Sequence, residues 1–237
     1  MNQVSDVLAH TRKLAKQDSN GITDADGISF ANDALLELHG QLIERKKDLF
    51  LQESTRNVTA NEIVGGSSPG KFLFPSDIFL LKSIEYNPVD LSAPSQDNYI
   101  PVSQYDAGNM PQGISLDYLR NNQNINDPLY DPHGDWFELV PTPKNVQTGG
   151  PLKINYWLAP TLFAATSDFL SYPYTLDFIL LATKIVAVYF RAQEQWDQAD
   201  KWDGRTDKRL DRIINIIGAG AQQAPQAKGI NLTGWEF

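Results

Sequence analysis

Apolar residues recur with helical spacing near the start of the chain. Residues 28–53 carry an apolar stripe with charged side chains on the opposite face, which predicts an amphipathic helix with Ser29 as its N-cap. The stripe consists of Ala31, Leu35, Leu38, Leu42 and Leu49. A shorter helix is predicted over residues 3–16, and residues 18–29 between the two helices form a turn-rich link.

A second helical region is predicted over residues 173–217, where Pro173 occupies a favourable first position. Its first part is apolar on most sides, and such a helix is buried in a core or in a subunit interface. The candidate subunit-interface residues are Leu176, Ile179, Leu180, Val186 and Phe190. After residue 196 the helical region is more polar, and Gly204 is a candidate position for a break in the helix.

The middle of the chain has the pattern of short strands separated by turn residues. Residues 54–70 are polar and rich in Gly and Ser, and they are expected to form a loop with at most one strand. The predicted strands are 72–74, 78–86, 99–105, 115–120, 136–140 and 152–158. Turn clusters between them favour an antiparallel sheet or small barrel over a βαβ repeat.

These patterns predict an α+β fold, in which a helical layer from the N- and C-terminal segments carries an inserted antiparallel β domain. The expected helical domain is 1–70 with 173–217, and the expected β-rich insert is 71–172. Residues 218–237 are rich in Gly, Ala and Gln and are expected to form an extended tail that finishes with two large aromatic residues.

Charge and composition narrow the function classes. The chain has 237 residues, no Cys and a formal net charge of −9, so neither a disulfide framework nor a thiolate metal site is expected. Residues 71–172 hold 5 basic and 11 acidic side chains, a balance that disfavours tight binding of duplex phosphates but suits a wall past which DNA slides. The first residues lack the apolar core of a secretory signal, and Lys184 interrupts the most apolar stretch, 178–190, which is too short to span a bilayer.

Two short motifs resemble ligand-binding loops without completing them. Residues 65–71 (GGSSPGK) match the spacing of a phosphate loop, but a strand pattern follows where a helix is needed, so a plain loop is favoured. Residues 24–27 (DADG) resemble part of a calcium loop, but Ile22 stands where the first ligand belongs, so a turn is favoured.

No catalytic, cofactor or metal site is predicted. Five carboxylates in the middle region could supply a glycosidase pair, with Trp136 or Trp157 as a sugar platform, but most lie in turns where Asp serves local hydrogen bonding. These carboxylates are Asp117, Asp127, Asp131, Asp135 and Glu138. The three His residues, His10, His39 and His133, lack ligand spacing. The chain is therefore expected not to be an enzyme.

Four segments, in this order, resemble the head-to-tail adaptor (connector) proteins of tailed bacteriophages, particularly of short-tailed phages. Residues 29–38 (SFANDALLEL) resemble the early helix of that family, and residues 72–81 (FLFPSDIFLL) resemble its segment leading into the first long strand. Residues 136–143 (WFELVPTP), followed by LKINYW at 152–157, resemble its late β-hairpin. Residues 173–193 resemble the following helix, so the likeness extends over residues 25–215.

The resemblance implies a structural virion protein of the neck region, assembled in the host cytoplasm. It implies a homo-oligomeric ring, commonly of twelve copies, that docks under the portal protein and extends the channel for DNA ejection. Its further partners would be tail or nozzle proteins, and genomic DNA would pass through without sequence-specific binding. The candidate portal or neighbouring-ring contacts are Trp235, Phe237, Ile230 and Leu232.

Two other functions stay open at this stage. One is another phage tail or baseplate component, such as a completion ring or a fibre-attachment module. The other is a small carbohydrate-binding β module on a helical base. An adaptor is expected to form rings on the portal, a tail component to bind tail parts only, and a carbohydrate module to be a monomer whose Trp fluorescence responds to sugar.

Overall fold

The computed structural model describes residues 2–88, 98–108 and 114–223, with side chains up to residue 218. In these residues it has five α-helices and one mixed sheet of seven strands, which confirms the predicted α+β class. The chain divides into two compact units. The helical unit comprises residues 1–47 and 160–237, and the β unit comprises residues 48–159.

The elements follow one another in the order helices, strands, helices, with one short helix among the strands. They are α1 (Val4–Ala15), α2 (Asp24–Arg45), β1 (Leu51–Val58), β2 (Lys71–Leu73), β3 (Ile78–Tyr86), β4 (Ile100–Gln104), α3 (Leu116–Asn122), β5 (Leu129–His133), β6 (Trp136–Val140), β7 (Gln147–Leu158), a 3₁₀ turn (Tyr174–Leu176), α4 (Phe178–Ala192) and α5 (Trp196–Gln223).

Helix α4 is the centre of the helical unit. It packs against α1, α2 and α5, and residues 180–189 are buried without interruption. A helix that is apolar on nearly every side needs such neighbours all round it. Asp177 is the N-cap of α4 and accepts a hydrogen bond from the backbone N–H of Ile179 at 3.1 Å, so the first helical residue lies five positions after the predicted Pro173.

Helix α2 begins and ends earlier than the sequence pattern indicates. Its N-cap is Thr23 rather than Ser29, because the Thr23 hydroxyl accepts the Asp26 backbone N–H at 3.2 Å and donates to the Asp26 carboxylate at 2.7 Å. The helix stops at Arg45, and Phe50 takes a left-handed conformation with φ 63°. That turn redirects the chain into β1, so the predicted helix over 46–53 is wrong.

The β unit is built on a sheet with the strand order β1-β7-β3-β4-β5-β6-β2. Every neighbouring pair of strands is antiparallel except β4–β5, which is parallel. The prediction of an antiparallel sheet is therefore wrong for this one pair. Strand β7 is the longest of the seven. It lies between β1 and β3 and pairs with both.

The sheet curls so that strands from both ends of its order share one core. Val58 on β1 and Phe72 on β2 are fully buried in the same cluster although these are the two outermost strands. The other members are Ile84, Tyr86, Val102, Phe137, Leu139, Leu152, Ile154 and Tyr156. Alternate residues of β3, β6 and β7 contribute these side chains, as expected for strands with one buried face.

Three local predictions in the second half of the chain are wrong. Residues 115–120 form most of α3 rather than a strand, because Ser115 caps the helix by accepting the Tyr118 N–H at 3.2 Å. A strand, β5, occupies residues expected to be turns, since it is held between β4 and β6. Helix α5 passes through Gly204 without a break and reaches Gln223, so residues 218–223 are helical rather than extended.

The unit boundaries also differ from the predicted 70/71 and 172/173. The division falls at 47/48 and 159/160 because β1, in the polar segment expected to be mostly loop, pairs with β7 over the register Leu51↔Trp157 to Arg56↔Leu152. Residues 160–172, counted with the β insert from sequence, belong to the helical unit, where Phe163 exchanges two hydrogen bonds with the Asn32 side chain.

The curled core of the β unit should depend strongly on its buried leucine. Leu139 is 0% exposed, so Leu139→Ala should lower the free energy of unfolding by about 2–5 kcal/mol through lost burial and the remaining cavity. Leu80 is 52% exposed in the same unit, and Leu80→Ala should change it by about 0.5 kcal/mol or less. Urea unfolding of both variants measures this, and equal losses would contradict the assigned core.

Candidate functional site

The densest cluster of charged side chains in the described residues joins three helices of the helical unit. Lys184 on α4 is only 2% exposed, and its ammonium lies 2.6 Å from Glu37 on α2 and 2.8 Å from Asp203 on α5. Arg191, two turns later on α4, binds the same two carboxylates, with Glu37 at 2.8 Å. Two cations and two anions therefore form a closed, neutral network.

The network lowers the pKa values of its two carboxylates. Partial burial disfavours the charged form of Glu37, but hydrogen bonds from Lys184 and Arg191 outweigh burial and hold its pKa below the ordinary 4.5. The same balance holds the pKa of Asp203 below 3.8. Both carboxylates are thus kept charged and already accept hydrogen bonds from two cations each. This arrangement suits a structural clamp better than proton transfer, which needs a carboxyl with a raised pKa.

The predicted subunit-interface residues on α4 do not share one surface. Leu180 and Val186 are 0% exposed inside the helical unit, so both are unavailable to another subunit. Phe190 is half-buried against the cluster of Ala15, Ile22, Val186 and Tyr189. Leu176 is 42% exposed and Ile179 is partly exposed, and these two residues line a feature separate from the surroundings of Phe190. The apolar character of α4 is therefore largely explained by its packing against α1, α2 and α5.

Leu176 and Ile179 instead line a groove between the start of α4 and the last turns of α5, which we name the α4–α5 groove. Its volume is about 330 Å³. Its apolar residues are Leu176, Ile179, Ile213 and Ile216, and its charged residues are Asp177, Arg209 and Arg212. Arg209 donates to Asp177 at 2.8 Å, which leaves the exposed Arg212 as a cation without an ion-pair partner among the described residues.

The end of α5 carries more apolar surface than its own unit covers. Ile213 is fully buried, but Ile214 and Ile217 are only partly buried and Ile216 is 45% exposed. At 3.6 residues per turn these four side chains span an arc of about 160°. The uncharged sequence Gly-Ala-Gly-Ala follows from residue 218. Apolar helix surface of this width is normally covered by another element or by a partner.

The β unit has a cavity of about 530 Å³ beside β2 and β6. It is lined by Arg56, Thr59, Asn61, Glu62, Ser68, Lys71, Phe72, Leu73 and Trp136. Its cation Arg56 is already bound to Glu62 at 2.6 Å, and Glu62 also accepts the Thr59 N–H at 2.8 Å. This ion pair and this hydrogen bond join β1 to the loop that follows it and stabilise that loop.

Trp136 is poorly placed as a sugar platform. The His133 ring stacks on it with centroids 4.1 Å apart, and the Lys71 ammonium lies 4.8 Å from its centroid. His133 stands on β5 and Lys71 on β2, which flank β6 on its two sides. Because the indole is contacted from both sides, a sugar would have to displace one of these neighbours to stack on it.

Three of the five carboxylates considered as a possible catalytic pair have local cationic or His partners. Glu138 is 4% exposed and binds Arg120 at 2.6 Å, Asp117 binds the same guanidinium, and Asp131 binds His133 at 3.0 Å. Among the residues that the structure describes, no group of three or more His, Asp or Glu side chains is placed to hold a metal ion.

Only the first of the two loop motifs takes the structure favoured from sequence, because residues 24–27 belong to helix α2 itself instead of forming a turn before it. In the phosphate-loop-like segment, Lys71 begins β2, so a strand follows where the motif needs a helix. In the calcium-loop-like segment, Asp24 and Asp26 form the first turn of α2, where Asp24 binds Arg12 at 2.5 Å and Asp26 bonds to the Thr23 cap.

The four candidate portal contacts, Trp235, Phe237, Ile230 and Leu232, lie outside the described residues. Of the surfaces above, sequence reasoning missed the groove and the charge network. Lys184 inside the longest apolar run was the signal for the network, since a lysine buried in a helix core requires carboxylate partners.

Comparison with known proteins gives no match to any protein-family model and none to any curated protein. Within the part of the chain that the structure describes, none of the helices combines the length and the apolar character needed to cross a membrane.

The charge network should make the helical unit sensitive to acid. A lowered native-state pKa contributes stability above the ordinary values of 4.5 for Glu37 and 3.8 for Asp203, and this stability is lost as the pH falls through the lower native-state values. We expect the free energy of unfolding to fall as the pH drops below about 5 and Glu37 and Asp203 take up protons.

Two glutamine variants of α2 test whether the charge network causes this acid sensitivity. Glu37→Gln should reduce stability at pH 7 and flatten the acid dependence, because Lys184 and Arg191 keep only Asp203. Glu44→Gln removes an exposed carboxylate from the same helix and should leave both unchanged. Denaturation followed by circular dichroism between pH 7 and pH 2.5 measures both effects. If the stability of Glu37→Gln falls with pH as steeply as that of the parent, the charge network is not the cause of the acid sensitivity.

Proposed function

We propose that this chain is a structural virion protein that forms an oligomeric adaptor ring between the portal and the tail or nozzle of a short-tailed bacteriophage. In this role it extends the channel through which DNA leaves the capsid. The sequence resemblance over residues 25–215 suggests the class. The α+β fold, with one β unit inserted between helical segments, is consistent with it.

The observation that carries the proposal is the uncovered apolar end of α5. Ile214, Ile216 and Ile217 leave apolar surface exposed at the end of a helix of 28 residues, where an assembly partner would bury it. A head-to-tail contact repeated around an axis closes into a ring and leaves no free surface. The contact residues differ from those predicted on α4, because Leu180 and Val186 are committed to the core.

The charge distribution supports passage of DNA without binding. The β unit holds 6 basic and 13 acidic side chains, a net charge of −7, whereas the rest of the chain holds 14 basic and 16 acidic side chains. An acidic surface repels phosphates and so would not retain a moving duplex. The ring is expected to have twelve copies, as the resemblance implies.

A different phage tail or baseplate component remains the second proposal, because an uncovered apolar helix end fits any ring or trimer. The carbohydrate-binding alternative finds less support, since His133 and Lys71 already contact the Trp136 indole. The two remaining readings differ in their partner, the portal for the adaptor and tail proteins for the alternative.

Electron microscopy of the purified protein, alone and mixed with the portal protein of the same phage, tests the proposal. We expect rings stacked coaxially on the portal, whose symmetry would give the copy number. A chain that stays monomeric and ignores the portal would refute the adaptor role. Rings that bind only tail proteins would support the second proposal instead.

The apolar end of α5 should be necessary for ring formation. Ile217→Glu places a charge on this surface and should abolish rings on the portal while circular dichroism and the melting temperature stay close to those of the parent. Leu36→Glu makes the same change at a residue of α2 that is 37% exposed, and it should leave the rings intact. Rings formed equally by both variants would exclude α5 as the contact.

A further inference from the structure

We propose that a row of basic side chains on the exposed side of α5 binds the phosphate backbone of duplex DNA without reading its sequence. The row, which we name the basic row, consists of Lys201, Arg205, Lys208 and Arg212. All four residues are exposed. The binding involves the helical unit alone and does not require the adaptor role.

The spacing of the basic row aligns its charges. Successive members are four, three and four residues apart, so at 3.6 residues per turn they fall within an arc of about 60° on α5. At 1.5 Å per residue the row is about 16 Å long. One strand of B-DNA carries a phosphate about every 3.4 Å along the axis, so a row of this length can face about five phosphates of one strand.

The acidic side chains alongside the basic row are directed to other helices of the unit. Asp203 belongs to the charge network on α4, and Asp207 and Asp211 bind Arg45 on α2 at 2.9 Å and 2.7 Å. Of these three acids, Asp211 is the closest to the row around the helix, and it still lies about 90° from the centre of the row. The other two acids of α5, which precede the row, are Asp197 and Asp200. The positive charge of the row is therefore not offset by acids on the same face.

The cations of the basic row are free to meet a ligand. Within the described ranges, none of the four forms an ion pair, whereas the neighbouring Arg209 is held by Asp177 at 2.8 Å. The guanidinium of Arg205 lies over the ring of Trp202, 4.3 Å from its centroid. A guanidinium stacked on an aromatic ring keeps the N–H groups at its edge available to phosphate oxygens. One of the four charges is thus already held in place.

The composition of the basic row favours a phosphate backbone over a protein surface or a lipid surface. Between Lys201 and Arg212, this face of α5 adds only Gly204 to the row and has no apolar side chain. The centres of protein interfaces are enriched in aromatic residues and depleted in Lys, and helices that lie on lipid bury an apolar face. Contacts to the DNA backbone are made by Lys and Arg charges of the kind found here.

Four phosphate contacts give weak binding. Complexes that do not depend on DNA sequence have dissociation constants on the order of 10⁻⁴ to 10⁻⁶ M. A single basic row on a chain with a net charge of −9 belongs at the weak end of this range. We therefore expect a dissociation constant on the order of 100 μM at low salt.

In the proposed adaptor, the two units would act on DNA with opposite sign. The β unit, with its net charge of −7, repels the duplex. The basic row would attract the duplex through contacts weak enough to break as the DNA moves. This consequence rests on the proposed function, whereas the binding itself does not.

Two double variants of the full chain test the binding. The test variant, Lys208→Gln with Arg212→Gln, removes two adjacent cations of the row. The matched control, Lys13→Gln with Lys16→Gln, removes two exposed cations at the end of α1 that also lack an ion-pair partner among the described residues. Both variants make the net charge of −9 more negative by two, so they differ only in which cations are lost.

Fluorescence anisotropy of a labelled duplex of about 20 base pairs, at about 50 mM salt, measures the affinity. We expect the test variant to bind at least about tenfold more weakly than the parent, and the control to stay within about twofold of the parent. The slope of log affinity against log salt should change from about −3.6 for four contacts to about −1.8 for two. Melting followed by circular dichroism checks that both variants are folded.

Equal affinities of the test and control variants would overturn the inference, and so would a parent that leaves the duplex unbound at about 50 mM salt. Tighter binding to polyglutamate than to the duplex would assign the row to an acidic protein. Tighter binding to vesicles of phosphatidylcholine and phosphatidylserine would assign it to a membrane surface. Either result would also overturn the inference. These measurements need no portal, whereas the adaptor role is tested by rings on the portal, so the two proposals fail separately.

Discussion

The helical unit depends on one buried cation. Lys184 lies in the middle of the most apolar helix and is almost fully removed from water, and α2 and α5 each bring a carboxylate into contact with its ammonium. Arg191 repeats the pairing on the same two carboxylates. The requirement to neutralise one lysine thus sets how α2 and α5 lie against α4 in a way that apolar packing alone, which is not directional, does not.

This constraint has consequences for the surface on which the proposed assembly depends. With α5 held against α4 at Asp203, and again where Arg209 meets Asp177 at the start of α4, ion pairs anchor the first half of the helix. Its last turns continue past these anchors with Ile214, Ile216 and Ile217 incompletely covered. A helix that presents apolar side chains beyond its anchors is suited to contact another chain.

In the β unit, polar groups act as local supports around a closed apolar core. Arg56 with Glu62 stabilises the β1–β2 loop, and Arg120 with Glu138 joins α3 to the buried strand β6. Of the carboxylates considered for a catalytic pair, Glu138 is thus bound within such a support.

The sequence by itself determined the α+β class, the existence of α1, α2, α4 and α5, and most of the strands, because apolar periodicity and turn residues are local signals. It did not determine that β1 belongs to the sheet or that β5 is a strand, since both are polar segments that become strands only through pairing with β7 and with β4 and β6. Likewise, the apolar run of α4 indicated burial but not what buries it. Only the tertiary structure decided that Leu180 and Val186 belong to the core while Ile216 stays exposed, because that outcome depends on which helices pack against which faces.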